Sequence, residues 1–192
     1  MVGRMPTVPR ILAFAGSLRR ESLNRKLLAA VAAAVRAEGG DVTVVELSDY
    51  PLPLYDGDLE DATGQPENAT KLVTLMLAHD ALLIASPEYN SQITAVLKNT
   101  IDWCTRAEAD PFEGKVAAVV SASPGMFGGI RSMTLARQLL THLGCHVIPA
   151  QCLLPQANKA FDEQGGLKDE RSRKAAQAVA SELVRVTARL KA

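Results

Sequence analysis

The chain has 192 residues, 47% of them hydrophobic and 22% charged, and is long enough to bury a core without disulfide or metal staples. Its 21 basic residues balance 21 acidic ones, so no basic excess exists to drive counterion release from a nucleic acid. No apolar run approaches the roughly 20 residues of a membrane span. Eight aromatic residues (one Trp, three Tyr, four Phe) are few for a base-stacking surface. Three cysteines, Cys104, Cys145 and Cys152, lack metal-site spacing. Together with a start, MVGRMPTVPR, that has no apolar signal core, they give the expectation of a reduced, cytoplasmic protein.

Strand and helix patterns alternate along the chain. Residues 1–9 read as a flexible N-terminal extension. Ile11–Ala15 (ILAFA) is a short apolar strand stopped by Gly16, and Ser22–Glu38 carries apolar residues at helical spacing up to Gly39-Gly40. Val42–Leu47 is a second strand, and Pro51–Pro66 a loop. Glu67–Ala78 follows as a helix, then Ala81–Ala85 as a third strand ended by Ser86-Pro87. Thr94–Arg106 is a helix, Val116–Val120 a fourth strand and Ser121–Gly129 a Ser/Pro/Gly-rich turn. Ile130–Leu143 forms another helix, His146–Ala150 a fifth strand extending toward Leu154, and Lys168–Lys191 a last helix.

Near-continuous apolar strands separated by helices specify a parallel sheet covered on both faces. No repeat or linker divides the chain, so residues 1–192 read as one α/β domain, a doubly wound five-stranded parallel sheet of order 2-1-3-4-5. Right-handed crossovers bring the loops after the first, third and fourth strands to one carboxyl edge, where such sheets bind ligands. The first loop holds Ser17, Arg19, Ser22, Leu23 and Asn24 at a helix start, a setting suited to a phosphate. Simple helix capping by Ser22 or Asn24 is the competing reading. The second holds Pro87, Glu88, Tyr89, Asn90 and Ser91, and the third Ser121, Ser123, Gly125 and Gly128. Neither GxGxxG nor GxxxxGK[ST] is present, which disfavours a dinucleotide Rossmann site or a P-loop.

These residues resemble the NADPH-dependent FMN reductase family of flavodoxin-like proteins, its quinone, chromate and azo-compound reductases above all. The matching pieces are Gly16-Ser-Leu-Arg19 with Ser22 and Asn24, Pro53-Leu-Tyr55-Asp56, Ser86-Pro-Glu-Tyr-Asn90, Leu97-Lys-Asn-Thr-Ile-Asp-Trp103 and the Ser123–Gly129 loop. The resemblance implies a non-covalent FMN. Its phosphate lies on Ser17, Arg19, Ser22 and Asn24, its ribityl chain and ring meet Pro87–Ser91, and Ser121–Gly128 borders the rest of the ring. It also implies ping-pong chemistry, in which NADPH or NADH gives hydride to the flavin and a quinone, azo compound, free flavin or metal oxyanion then takes the electrons, with no side chain as catalyst. A departure is Thr94-Ala95, where relatives often carry Pro-Gly; Thr94 suits a helix cap. Family members pair subunits around the helix at 94–106, which implies a homodimer or homotetramer.

The bland readings of the remaining residues are stronger. Cys104 beside Trp103 is a packed hydrophobe, and His142 and His146 are separated by Gly144, so neither metal binding nor thiol chemistry is expected. Two rivals stand beside the reductase: a flavodoxin-type electron carrier or non-catalytic flavin module, and a protein binding another phosphorylated ligand. Zero net charge favours the enzyme over a carrier, since carriers are commonly acidic for docking.

Overall fold

The computed structural model describes residues 8–191. Among the described residues, six strands and six α-helices follow in this order: β1 (Arg10–Ala15), α1 (Leu23–Ala37), β2 (Asp41–Val45), α2 (Gly57–Thr63), α3 (Glu67–Leu77), β3 (Ala81–Ala85), α4 (Ala95–Cys104), β4 (Val116–Ala122), α5 (Ile130–His142), β5 (His146–Val147), β6 (Cys152–Leu154) and α6 (Glu170–Lys191). All strand pairs are parallel, and the sheet order is β2-β1-β3-β4-β5, with β6 also on β4. The order expected from the alternation of apolar strands is the one found.

Each central strand is buried on both faces, and the twofold side-chain period divides its residues between two cores. Ile11, Ala13 and Ala15 of β1 pack with Leu27, Val31 and Val35 of α1 and Val179 and Leu183 of α6. Leu12 and Phe14 point the other way, into Leu72 and Met76 of α3, Leu97 and Ile101 of α4, and Met133 and Leu140 of α5. Leu190, by contrast, ends up 57% exposed at the C-terminal end of α6.

The sequence reading needs correction at three places. The expected fifth strand is broken in two. His146 pairs Val116, an offset of 30 residues, whereas Cys152 pairs Val120, an offset of 32. Two residues are therefore extruded between the halves, around Pro149, which has no N–H to give the ladder. The N–H of Ala150 instead donates to Glu182 Oε2 of α6 at 2.8 Å. Secondly, the loop Pro51–Pro66 contains helix α2, capped by Asp56, whose carboxylate accepts the Asp58 N–H at 2.9 Å. Thirdly, β4 runs two residues further than expected, to Ala122, so Ser121 lies in the strand. The expected N-terminal extension covers residues 1–9. Residues 1–7 lie outside the described residues, but Pro9 is buried and its carbonyl accepts the Asp41 N–H at 2.9 Å.

Candidate functional site

Parallel strands end at one edge, and three of the loops leaving that edge converge on a cleft of about 240 Å³. Ser17, Arg19, Glu21, Ser22, Leu23 and Asn24 form one wall, Pro87, Glu88 and Tyr89 another, and Ala122, Ser123 and Pro124 the third. A larger groove of about 460 Å³ lies between α1 and residues 164–167, but alanines at 29, 30, 33 and 34 line much of it. Its cationic side chains are already engaged, Lys26 with Glu21 and Arg173 with the Leu167 and Lys168 carbonyls, so the strand-end cleft is the candidate.

The first wall is built by a tight exit from β1. Gly16 donates to the Ala85 carbonyl at 2.9 Å. A Cβ there would stand 2.8 Å from Leu97 Cβ, so only glycine lets β1 pass this close to α4. Thr94 locks the approach: its hydroxyl donates to the Gly16 carbonyl at 2.7 Å and accepts the Leu97 N–H at 3.3 Å, capping α4. Ser17 and Ser22 are buried polar residues at the cleft. Ser17 Oγ accepts the Arg19 N–H at 3.3 Å, and Ser22 Oγ caps α1 by accepting the Arg25 N–H at 3.4 Å. Both hydroxyls still have a proton to donate. The N–H groups of Leu23 and Asn24, in the first turn, have no partner within the helix. The arginine of Arg19 is exposed at the mouth. This donor set, two hydroxyls, helix N–H groups and a guanidinium, matches a phosphate.

Asn24 has a task the sequence did not disclose. Its Nδ2 donates to the Ala122 carbonyl at 2.8 Å and its Oδ1 accepts the Ala122 N–H at 2.9 Å. This closed pair clamps the start of α1 to the end of β4 and leaves the Asn24 side chain only one N–H for a ligand.

In the second wall, Tyr89 and Gln92 exchange backbone hydrogen bonds at 3.1 and 3.0 Å around a two-residue turn. Asn90 and Ser91 occupy its centre with φ of 51° and 63°, the left-handed geometry of a mirror-image β-turn. The turn presents Tyr89 to the cleft, with 49% of the residue exposed, and carries Asn90 and Ser91 outside the lining. The Glu88 carboxylate is taken by the N-terminus of α5.

The third wall is likewise partly structural. Ser121 is fully buried and its hydroxyl donates to the Ser86 carbonyl at 2.7 Å. Ser123 lines the cleft while its Oγ accepts the Gly125 N–H at 3.1 Å. Gly125 and Gly128 lie outside the lining, where the loop is tied to the segment after β6 through bonds such as Gln156 N–H to the Gly125 carbonyl, 3.1 Å. Ala122 and Pro124 also line the cleft, within the expected Ser121–Gly128 border, and Glu21 joins them as a residue signalled only by its place beside Ser22 in the chain. Around the mouth, Leu18, Met126, Phe127 and Ile130 are exposed at 55%, 79%, 66% and 43%.

No thiol takes part. Cys104, Cys145 and Cys152 are free and buried, and burial pushes their pKa values up to about 12, 12 and 11. Among the described residues, no cluster of three or more His, Cys, Asp or Glu side chains is placed to hold a metal ion.

A doubly wound sheet with a phosphate-type helix start at its switch point defines a flavodoxin-like nucleotide-binding protein. The chain belongs to the NADPH-dependent FMN reductase family, whose profile matches residues 9–159. It is an oxidoreductase of that family, with FMN as cofactor and NAD(P)H as reductant. It is 37% identical over 169 residues to an NAD(P)H-dependent FMN reductase of Pseudomonas aeruginosa, covering 88% of this chain and 89% of the relative. It is 34% identical over 184 residues to an NADPH:quinone oxidoreductase of Arabidopsis thaliana, covering 94% and 93% of the two chains. Among solved structures, a flavoenzyme NAD(P)H:(acceptor) oxidoreductase from Paracoccus denitrificans superposes with a TM-score of 0.80 at 28% identity, covering 95% of this chain and 98% of that one.

Proposed function

We propose that the protein transfers electrons from NAD(P)H, through FMN held in the strand-end cleft, to quinones and other small oxidised acceptors such as azo compounds, free flavins and metal oxyanions. The cleft carries this reading, because two buried serines, the first turn of α1 and Arg19 line it together. The quinone reductase of Pseudomonas putida, 36% identical over 169 residues, supports quinones as acceptors.

When bound, FMN supplies the two-electron chemistry, and the chain supplies binding, orientation and electrostatics. Ser17, Ser22, Arg19 and the first N–H groups of α1 would hold the phosphate, and the turn at Pro87–Tyr89 and the loop at Ser123 and Pro124 would contact the rest of the cofactor. At about 240 Å³ the cleft is smaller than the roughly 300–1,000 Å³ of pockets that bury a whole drug-sized ligand, so it would leave part of a bound nucleotide open to a second substrate. An open mouth suits a ping-pong order, in which nicotinamide and acceptor occupy one place in turn. Arg19 and Arg20, both exposed beside the cleft, are the proposed contacts for the 2′-phosphate of NADPH. Unchanged preference between NADPH and NADH in Arg20→Ala removes that residue.

The reading extends to a homodimer or homotetramer, supported by the exposed apolar residues at the mouth and by an apolar groove of about 330 Å³ lined by Ile93, Leu135 and Leu139 between α4 and α5. Light scattering on the purified protein decides it. Three unpaired buried thiols support a reducing, cytoplasmic setting. Among the described residues, no helix is long and apolar enough to cross a membrane.

The decisive experiment is anaerobic stopped-flow mixing of the FMN-loaded protein with NADPH or NADH. Bleaching of the flavin band, and its return on adding a quinone, is the expected result. If neither nicotinamide bleaches bound flavin, the protein is a carrier or a binding module instead.

A further inference from the structure

Helix α5 starts at Ile130 after Gly129, a residue with left-handed backbone geometry and no side chain, so its own sequence provides no cap. The first N–H groups of an α-helix have no partner within it. A carboxylate from another loop fills the gap. Glu88 Oε2 accepts the N–H groups of Arg131 at 2.9 Å and Ser132 at 3.2 Å, and Oε1 accepts Arg131 Nη1 at 3.3 Å. The Glu88 side chain is only 14% exposed and also lines the cleft. One carboxylate thus joins the turn after β3 to the helix that follows the β4 loop.

The charge arrangement shows why this group is a brace and not a ligand for an anion. A bare carboxylate in the cleft wall would repel a phosphorylated nucleotide. Here two backbone N–H groups, the positive end of the α5 dipole and the Arg131 guanidinium compensate it. Beneath it, the hydroxyls of Ser86 and Ser132 meet at 2.7 Å, and Ser132 Oγ donates to the Pro87 carbonyl at 2.7 Å. Those buried bonds tie α5 to the end of β3, and Glu88 carries the connection on into the cleft.

We propose that Glu88 is a positioning residue for the flavin reaction. Its carboxylate sets the spacing between the Pro87–Ser91 turn and the Ser123–Gly129 loop, the two segments that flank the ring. This inference rests on the flavin-site reading given above.

The test compares Glu88→Ala, Glu88→Gln and a stability control, Leu140→Ala, in the buried far half of α5. Apoprotein Tm is measured, then FMN affinity by fluorescence quenching and the visible circular dichroism of bound flavin. Glu88→Ala is expected to weaken FMN binding by about 10- to 100-fold, the scale of a displaced binding wall, and to change the flavin dichroism. Glu88→Gln keeps an oxygen for the α5 N–H groups and is expected to stay within about threefold of the parent, below the 1.4 kcal/mol that marks a tenfold change. Leu140→Ala is expected to lower Tm while leaving affinity and dichroism unchanged. The proposal is overturned if Glu88→Ala binds FMN as the parent does, if Glu88→Gln fails to rescue, or if Leu140→Ala loses affinity in proportion to its Tm. A parent protein that binds no FMN at all refutes the site reading itself, a separate outcome.

Discussion

Replacing Asn24 by alanine separates two roles for that side chain. As a phosphate ligand, Asn24 would matter only when FMN is present, and the apoprotein would hardly notice its loss. As the clamp seen here, it matters to the empty protein. Truncation strips both partners from the Ala122 main chain, which sits 4% exposed at the end of β4. A buried donor or acceptor left unpaired costs about 1–3 kcal/mol. With two such groups and some relief by water, the structure implies a loss of about 2–4 kcal/mol. For a protein of this size that lowers Tm by roughly 5–15 °C. Urea unfolding of the FMN-free variant measures the loss directly, with an unchanged m-value showing that the folded state is still compact. Asn24→Asp sharpens the test, since its second oxygen faces the Ala122 carbonyl in place of a donor, and it is expected to destabilise at least as much. An apoprotein of Asn24→Ala within about 0.5 kcal/mol of the parent, in the range of an ordinary surface substitution, would refute the clamp.

Three further outcomes follow from the same geometry. Gly129→Ala combines φ of +83°, which costs about 1–2 kcal/mol for a residue with a Cβ, with a Cβ placed on top of Ser121 Oγ; the Ser121–Ser86 bond must break, so a Tm drop larger than that of Asn24→Ala is expected by calorimetry. Glu60 is held below its ordinary 4.5 because both its oxygens accept Arg106 Nε at 3.0 Å, with the Tyr55 hydroxyl adding a bond at 2.9 Å. A lowered folded value means that this stabilisation is present above the unfolded value and is lost as pH falls through the folded one, so Glu60→Gln should lose less stability than the parent on acidification from about pH 5 to pH 3. Finally, the three buried thiols should stay unmodified by a thiol-specific chromogenic disulfide in the folded protein at neutral pH and react fully in denaturant; one that reacts at once in the native state contradicts its placement.

What the sequence made legible was periodic or contiguous. Ala81–Ala85 is apolar throughout because both faces of β3 are covered, so its burial and central place could be read directly. The first-wall residues lie within eight positions of one another at a helix start, and the cleft collects Ser17, Arg19, Ser22, Leu23 and Asn24 together. Where no period existed, the reading failed. Helix α2 buries no residue, so it leaves no apolar stripe to find, and its capping Asp56 looks like any loop acid. Ser121 resembles the start of a polar loop because a serine is a poor strand signal, yet its hydroxyl is satisfied by the Ser86 carbonyl just past the end of β3, 35 residues away.

The same separation explains why roles were harder to read than positions. Asn24 meets Ala122 across 98 residues, and Glu88 meets α5 across 43 and 44. Nothing local distinguishes an asparagine that binds a phosphate from one that closes a pair with a strand, or a glutamate that faces a ring from one that caps a distant helix. Both side chains lie at the cleft and both have polar atoms already paired with main chain. The cleft is therefore held open by the residues that also line it. Ser17, Ser22 and Arg19 keep donors free for an anion, whereas Asn24 and Glu88 tie the walls to their neighbouring elements. That division predicts different signatures: Arg19 should change FMN affinity with little effect on the empty protein, Ser22 should change affinity and, as the cap of α1, also cost the empty protein about 1 kcal/mol, and Asn24 should change the empty protein first.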